Sequence, residues 1–129
     1  IKKKEKNVMV LNAGDVFQGT LYFNFYEGLA DLACLNEIGY QAQTLGNHEF
    51  DKGPKPLIEY AKRANFPLIA CNLDLSAEPE LAKWVKPYTI IEVDRQKVAV
   101  IGTILEDTPN ISSPGPSVKF KPVFDSVQM

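Results

Sequence analysis

The sequence predicts an α/β fold built on a parallel sheet, and three observations predict it. Short apolar runs at Val8 to Leu11, Ala42 to Leu45 and Leu68 to Cys71 have the uninterrupted character of strands buried on both faces. Stretches of helical periodicity separate them. The gaps between runs are long enough for right-handed crossovers, so a β-α-β-α-β unit fills the chain up to Cys71.

Each element follows from its local chemistry. Val8-Met9-Val10-Leu11 closes on the loop Asn12-Ala13-Gly14-Asp15. From Asn24 to Ile38, Phe25, Leu29, Leu32 and Ala33 recur at helical spacing among Glu27, Asp31 and Glu37, with Gly39 as a stop, which predicts one amphipathic helix. Ala42 to Leu45 is the second strand, although Gln43 and Thr44 interrupt it with polar atoms. Asp51-Lys52-Gly53-Pro54 signals a turn. Pro54 and Pro56 suit a first helical turn, and Leu57, Ile58, Ala61 and Ala64 mark the apolar face of a helix ending near Asn65. After the third strand, Leu73 to Pro87 reads as a surface connection with a helical turn around Leu81 to Trp84, and Trp84 as a core or lid anchor. Tyr88 to Val93 and Lys97 to Gly102, joined by Asp94-Arg95-Gln96, predict a hairpin. Thr108 to Pro122, with four prolines, predicts a long surface loop, and Asp125-Ser126 caps a further helix.

Composition narrows the function classes. The chain has 129 residues, 45% hydrophobic and 23% charged, with 14 basic against 16 acidic side chains and a formal net charge of −2. A chain of this length buries roughly two-thirds of the surface its unfolded form exposes, which supports one core and not two. The balance of charge gives no electrostatic footprint for nucleic acid; the basic run Lys2-Lys3-Lys4, answered by Glu5, reads as a solvated face. No run approaches the roughly 20 apolar residues of a membrane span. Cys34 and Cys71 sit in apolar segments without metal-knuckle spacing and read as two buried free thiols. The chain opens on Ile1 and stops just after a helix cap, so both ends read as cuts. Only one histidine, His48, is present.

Two loops that follow strands hold the suggestive chemistry, Gly14-Asp15-Val16-Phe17-Gln18-Gly19 and Gly46-Asn47-His48-Glu49-Phe50-Asp51. Both leave the same edge of a parallel sheet, where the sites of open α/β folds lie. Asp15 and Asn47 are 32 residues apart, about one β-α-β unit, so their side chains can converge. A carboxylate and an amide oxygen are hard donors, and an imidazole beside them suits zinc, manganese or iron. Taken singly, Gly-Asp after a strand also reads as a turn or helix cap, and a histidine beside an asparagine as polar loop chemistry. Gly14, Gly19 and Gly46 give the backbone the freedom to aim these side chains.

The conjunction of strand, Gly14-Asp15-x-x-x-Gly19, helix, strand and Gly46-Asn47-His48-Glu49-Phe50-Asp51 closely resembles the calcineurin-like metallophosphoesterases, in particular their 5′-nucleotidase branch. Gln18-Gly19-Thr20, Ile101-Gly102 and Glu106-Asp107-Thr108-Pro109 extend the resemblance to about Phe124. It implies a layered α/β sandwich of metallophosphoesterase type, of which this chain supplies the parallel β-α-β-α-β unit and the hairpin. It also implies a two-metal phosphohydrolase acting on nucleotides by attack of a metal-bound hydroxide. In that resemblance Asp15 matches the carboxylate that bridges two divalent metals (zinc, manganese or similar) and Asn47 a ligand of the second. His48 matches the uncoordinated histidine facing the phosphoryl group, and Asp51 the carboxylate that orients it.

Ligand count then limits the chain. The family pattern needs an Asp-x-His block upstream and a Gly-His-x-His block downstream, and a chain whose single histidine is His48 holds neither. Residues 1–129 therefore read as the central part of a catalytic domain, without its outer parts or the family's C-terminal nucleotide-recognition domain, and the isolated chain is expected to be inactive. A non-catalytic α/β binding module or degenerate phosphoesterase-like domain is the competing reading. Cyclic nucleotides, nucleotide sugars and other phosphoesters are alternative substrates. The family implies a periplasmic, secreted or cell-surface setting, and an incomplete sheet predicts self-association.

Overall fold

The computed structural model describes residues 7–128; the basic run at Lys2-Lys3-Lys4 lies outside them. The chain runs β1 (Leu11–Asn12), α1 (Leu21–Tyr26), α2 (Leu29–Ile38), β2 (Ala42–Thr44), a 3-10 turn (His48–Phe50), α3 (Pro54–Ala61), β3 (Leu68–Ile69), β4 (Leu73–Asp74), α4 (Pro79–Ala82) and β5 (Val85–Lys86). It continues through the hairpin β6 (Tyr88–Val93) and β7 (Gln96–Ile101), then α5 (Thr108–Ile111), β8 (Lys119–Phe120) and α6 (Val123–Val127). Four strands form a parallel sheet in the order β1-β2-β3-β5, with Leu11 opposite Ala42, Gln43 opposite Leu68 and Leu68 opposite Val85. The α/β class and the parallel β-α-β-α-β unit are as the apolar runs predict.

Most of the apolar burial lies on the helical side of this sheet. Phe17, Phe23, Leu32, Leu45, Phe50, Leu57 and Tyr60 form its centre, with the Phe17 ring 5.4 Å from Phe23 and 5.3 Å from Tyr60. Fully burying side chains of this size contributes about 1.5–3 kcal/mol each, which makes this layer the main source of stability. The opposite side is thinner: Ala42, Ile69 and Ile91, with Met9, Val93 and Val100 against them. Asn72, fully buried, ties the segment after β3 to the one after β7. Its amide donates to Ile104 O at 2.8 Å and its Oδ1 accepts the Ile104 N–H at 2.9 Å.

The structure departs from the sequence reading where packing overrides local pattern. The single helix expected from Asn24 to Ile38 is two, broken at Glu27 and Gly28, which hold φ of 50° and 87°. A Cβ on Gly28 would lie 2.2 Å from the Phe17 ring, so the chain turns there to let that ring into the core. The break leaves Leu21, Tyr22, Phe25 and Tyr26 exposed on α1. Within the expected surface connection after Leu73, Val85–Lys86 is the fourth strand of the sheet, too short to announce itself by pattern. The expected loop from Thr108 to Pro122 contains α5 and β8, the latter pairing antiparallel with β4. Trp84 is not a core anchor, being 39% exposed, and Cys34 is not buried; only Cys71 is.

The hairpin turns on Asp94 and Arg95, both at positive φ (50° and 62°), the two-residue geometry that matches strand twist. Its inward residues, Ile91 and Val100 among them, cover the sheet. Its outward face carries the pairs Tyr88 with Ile101, Ile90 with Ala99, and Glu92 with Lys97. Tyr88, Ile90 and Ile101 are each about half exposed, and Leu11 on β1, which among the described residues pairs on one side only, is exposed as well. An apolar strip beside an unpaired strand edge favours association. The 129-residue chain is therefore expected to self-associate as concentration rises, and Ile90→Lys with Ile101→Lys to reduce this; sedimentation velocity measures both, and a strictly monomeric wild-type chain would contradict it.

Candidate active site

The site forms where β1 and β2 end. Their C-terminal loops run side by side, so close that a Cβ on Gly14 would lie 2.4 Å from the Gly46 nitrogen and one on Gly46 2.1 Å from Asp15 Oδ1. Only glycine at both positions permits this approach. Gly14 N–H donates to Asn12 Oδ1 at 2.7 Å, a local turn that starts the first loop. Asp15 follows at φ 57°, a left-handed conformation that aspartate tolerates better than most side chains.

Glu49 holds the two loops together. Its side chain is fully buried and accepts N–H groups from Asp15 at 2.9 Å, Val16 at 2.6 Å and Phe17 at 3.4 Å, and from Gly46 at 2.6 Å. Successive N–H groups of this kind make an anion-binding concavity. Here the protein's own carboxylate fills it, so the first loop is not a phosphate cradle. Burial, the largest influence on Glu49, pushes its pKa up, and the four N–H donors pull it down without cancelling that effect.

Of the four residues singled out in the sequence, Asp15, His48 and Asp51 are linked by hydrogen bonds at this edge, and Asn47 adjoins His48 in the second loop. His48 N–H donates to Asp15 Oδ1 at 3.1 Å, which ties the second loop to the first carboxylate directly. Asn47 precedes the 3-10 turn and makes no capping hydrogen bond with its side chain. His48 Nδ1 lies 2.7 Å from Asp51 Oδ2, and the other Asp51 oxygen, Oδ1, accepts the Ser112 hydroxyl at 2.8 Å. The imidazole is 42% exposed and the Asp51 side chain 15%, so a partly buried carboxylate supports a more exposed ring. The hydrogen bond to Asp51 raises the His48 pKa above 6.5; desolvation opposes it, and the charges of Asp51, Asp15 and Glu49 add to it. For Asp51, desolvation is the largest single influence and favours the neutral acid. Hydrogen bonds from His48, Ser112 and Gln18 together outweigh it and bring the pKa below 3.8.

Glu49, Ser112 and Gln18 are the participants sequence reasoning left without a role. Gly46-x-x-Glu49 has the spacing at which a glutamate reaches back to a backbone N–H three residues earlier, so half of the Glu49 contact had a local signal. Ser112 stands 61 residues from Asp51 and had none.

A family model for calcineurin-like phosphoesterases matches residues 1–116. The chain belongs to that family. Among curated relatives, the 5′-nucleotidase of Diplobatis ommata is 38% identical across 99% of this chain and 23% of its own length. The NAD 5′-nucleotidase of Haemophilus influenzae is 42% identical across 93% of this chain and 20% of its own length. A crystal structure of a 5′-nucleotidase precursor from Thermus thermophilus superposes with a TM-score of 0.96 at 46% identity, covering 98% of this chain and 25% of that one. The chain thus spans about a fifth to a quarter of the length of these relatives, and its fold is that of a metallophosphoesterase.

Phosphoesterases of this family use divalent metals, and the donors here fit part of such a site. Asp15 keeps one carboxylate oxygen clear of the His48 contact, and Asn47 offers an amide oxygen. Among the described residues no three His, Cys, Asp or Glu side chains cluster as a metal-holding group.

Both the Glu49 contact and the His48–Asp51 pair can be tested by unfolding. Removing the Glu49 carboxylate (Glu49→Ala) leaves its N–H donors without their acceptor and is expected to cost about 3 kcal/mol or more, seen as a lower urea midpoint. Amide exchange should accelerate at Asp15, Val16, Phe17 and Gly46; unchanged protection there would contradict the role of Glu49. The His48–Asp51 pair contributes its full stability between the ordinary values of 3.8 and 6.5. That contribution is lost as pH falls through the lowered Asp51 value, and again as pH rises through the raised His48 value. Urea unfolding of wild type and Asp51→Asn across pH should show the largest difference inside that window, at most about 1 kcal/mol for a pair this exposed.

Proposed function

We propose that this chain supplies the central part of the catalytic site of a two-metal 5′-nucleotidase-like phosphohydrolase. The observation that carries this reading is the convergence of Asp15, Asn47 and His48 at one sheet edge, with the His48 N–H bonded to Asp15 Oδ1 at 3.1 Å. The family match and nucleotidase-named relatives support it. Asp15 would bridge the metals and Asn47 would bind the second. The remaining ligands would come from sequence outside residues 1–129, because the described residues hold no complete donor cluster. These residues on their own would then be inactive.

Bound divalent metals supply Lewis acidity at the phosphoryl oxygens and lower the pKa of a water. The chain's own side chains do the rest. Asp51, accepting at Oδ2, would hold the proton on Nδ1 and leave Nε2 to face the phosphoryl group. The hydrogen bond to Asp51 favours the protonated imidazole, and in that form Nε2–H can donate to a phosphoryl or leaving-group oxygen as negative charge develops. The proton resides on Nε2 until the leaving oxygen takes it.

The test is phosphate release from AMP with Mn²⁺ or Zn²⁺, comparing the longer protein with residues 1–129. The longer protein is expected to turn over and the 129-residue chain not to; vigorous hydrolysis by the short chain would refute the divided ligand set. In the longer protein Asp15→Ala should lose bound metal by elemental analysis. His48→Asn should retain metal while kcat falls about 10²- to 10⁴-fold. Loss of metal in His48→Asn would make His48 a ligand instead.

A further inference from the structure

We propose that Ser112 is a positioning residue for His48, acting through Asp51. The inference rests on the reading of His48 as the phosphoryl-facing group. Asp51 commits each carboxylate oxygen to a different donor: Oδ2 to His48 Nδ1 at 2.7 Å and Oδ1 to Ser112 Oγ at 2.8 Å. The terminal torsion of an aspartate is soft and roughly two-fold. Gln18 also hydrogen-bonds this carboxylate, but Gln18 and the imidazole both belong to the two site loops, and a carboxylate held from them only could still turn, taking the ring with it. The Ser112 hydroxyl, approaching Oδ1 from another part of the chain, fixes the carboxylate plane and so the direction in which Nε2 points.

The hydroxyl is delivered by a piece of backbone tied to the core at Thr108. Ser112 follows α5 in an extended conformation, and its N–H closes the helix on Thr108 O at 2.9 Å. Thr108 is fully buried, and its own hydroxyl is bonded to Leu105 O at 2.6 Å. Ser112 is thus anchored from the core before its side chain reaches the site. A hydroxyl also suits the task chemically. It donates to the carboxylate without bringing a charge that would compete with the imidazole for Asp51, as a lysine or arginine there would.

Ser112 could instead merely fasten the 108–113 segment to the domain, and the experiment separates the two. In the longer metal-loaded protein, Ser112→Ala is expected to lower kcat for AMP about 10-fold, with KM and metal content unchanged, since a hydrogen bond to a charged group is in the range this loss implies. Ser112→Thr should restore most of it. In an Asp51→Asn background, Ser112→Ala should add nothing, because its route to His48 is already broken. Separately, the His48 Nδ1–H proton of wild type should give a low-field NMR signal that broadens or shifts in Ser112→Ala, in a protein of unchanged thermal stability. Equal losses on both backgrounds, or a loss confined to KM or to stability, would overturn the proposal; so would an unaffected kcat with an unaffected Nδ1–H signal. If His48→Asn and Asp51→Asn themselves leave kcat unaltered, the functional reading of His48 fails, and the NMR signal still decides whether Ser112 orients the ring.

Discussion

The buried carboxylate of Glu49 is the contact on which the site depends. It gathers N–H groups from two loops that are more than thirty residues apart in sequence, and it sits beneath both. Without it, the left-handed Asp15 would lose the acceptor of its own N–H and keep only the His48 N–H at its side chain. That single bond would be left to hold the close passage of Gly14 past Gly46 beyond the strand ends. The contact is electrostatic and desolvated, so it is strong only while the apolar layer of Phe17, Phe50 and Tyr60 keeps water away. Core and site are therefore one construction: the hydrophobic layer makes the hydrogen bonds strong, and those bonds draw the functional side chains to one edge.

A consequence is that the site cannot assemble locally. Asp15 reaches His48 across 33 residues, and Ser112 reaches Asp51 across 61. Loop-closure entropy must be overcome for each, and the pairing of β1 with β2 brings the Asp15 and His48 loops side by side. The strands are only two or three residues long in the parallel sheet, yet register in a sheet buried on both sides is strongly specified.

What the sequence made legible follows from the same logic. Apolar runs ended by Gly-Asp and Gly-Asn announced strands and post-strand loops, and the spacing between Asp15 and Asn47 was enough to place them at one edge. Asp51, three residues from His48, was within reach on any reading of the loop. The break at Gly28 was hidden because it answers to the Phe17 ring, a partner that the helical periodicity of Phe25 to Ala33 does not contain. Strand β5 was hidden because two residues make no pattern. Ser112 was hidden because its partner lies across the fold, whereas Glu49 was half visible through its three-residue reach to Gly46. Local signals are carried by period and punctuation; the missed features are elements too short to show a period or contacts whose partner lies outside the local pattern.

The outward face of the β6–β7 hairpin changes character along its length. At its root, Tyr88 faces Ile101 and Ile90 sits beside Ala99; nearer the turn, Glu92 faces Lys97. Residues alternate along a strand at about 3.4 Å each, so the apolar portion extends only about 7–10 Å from the root before charge begins. That transition acts as a waterline. It sets how deep any layer laid against this face can be: such a layer shields the root, where the hairpin leaves the sheet, and leaves the Asp94–Arg95 tip standing in solvent.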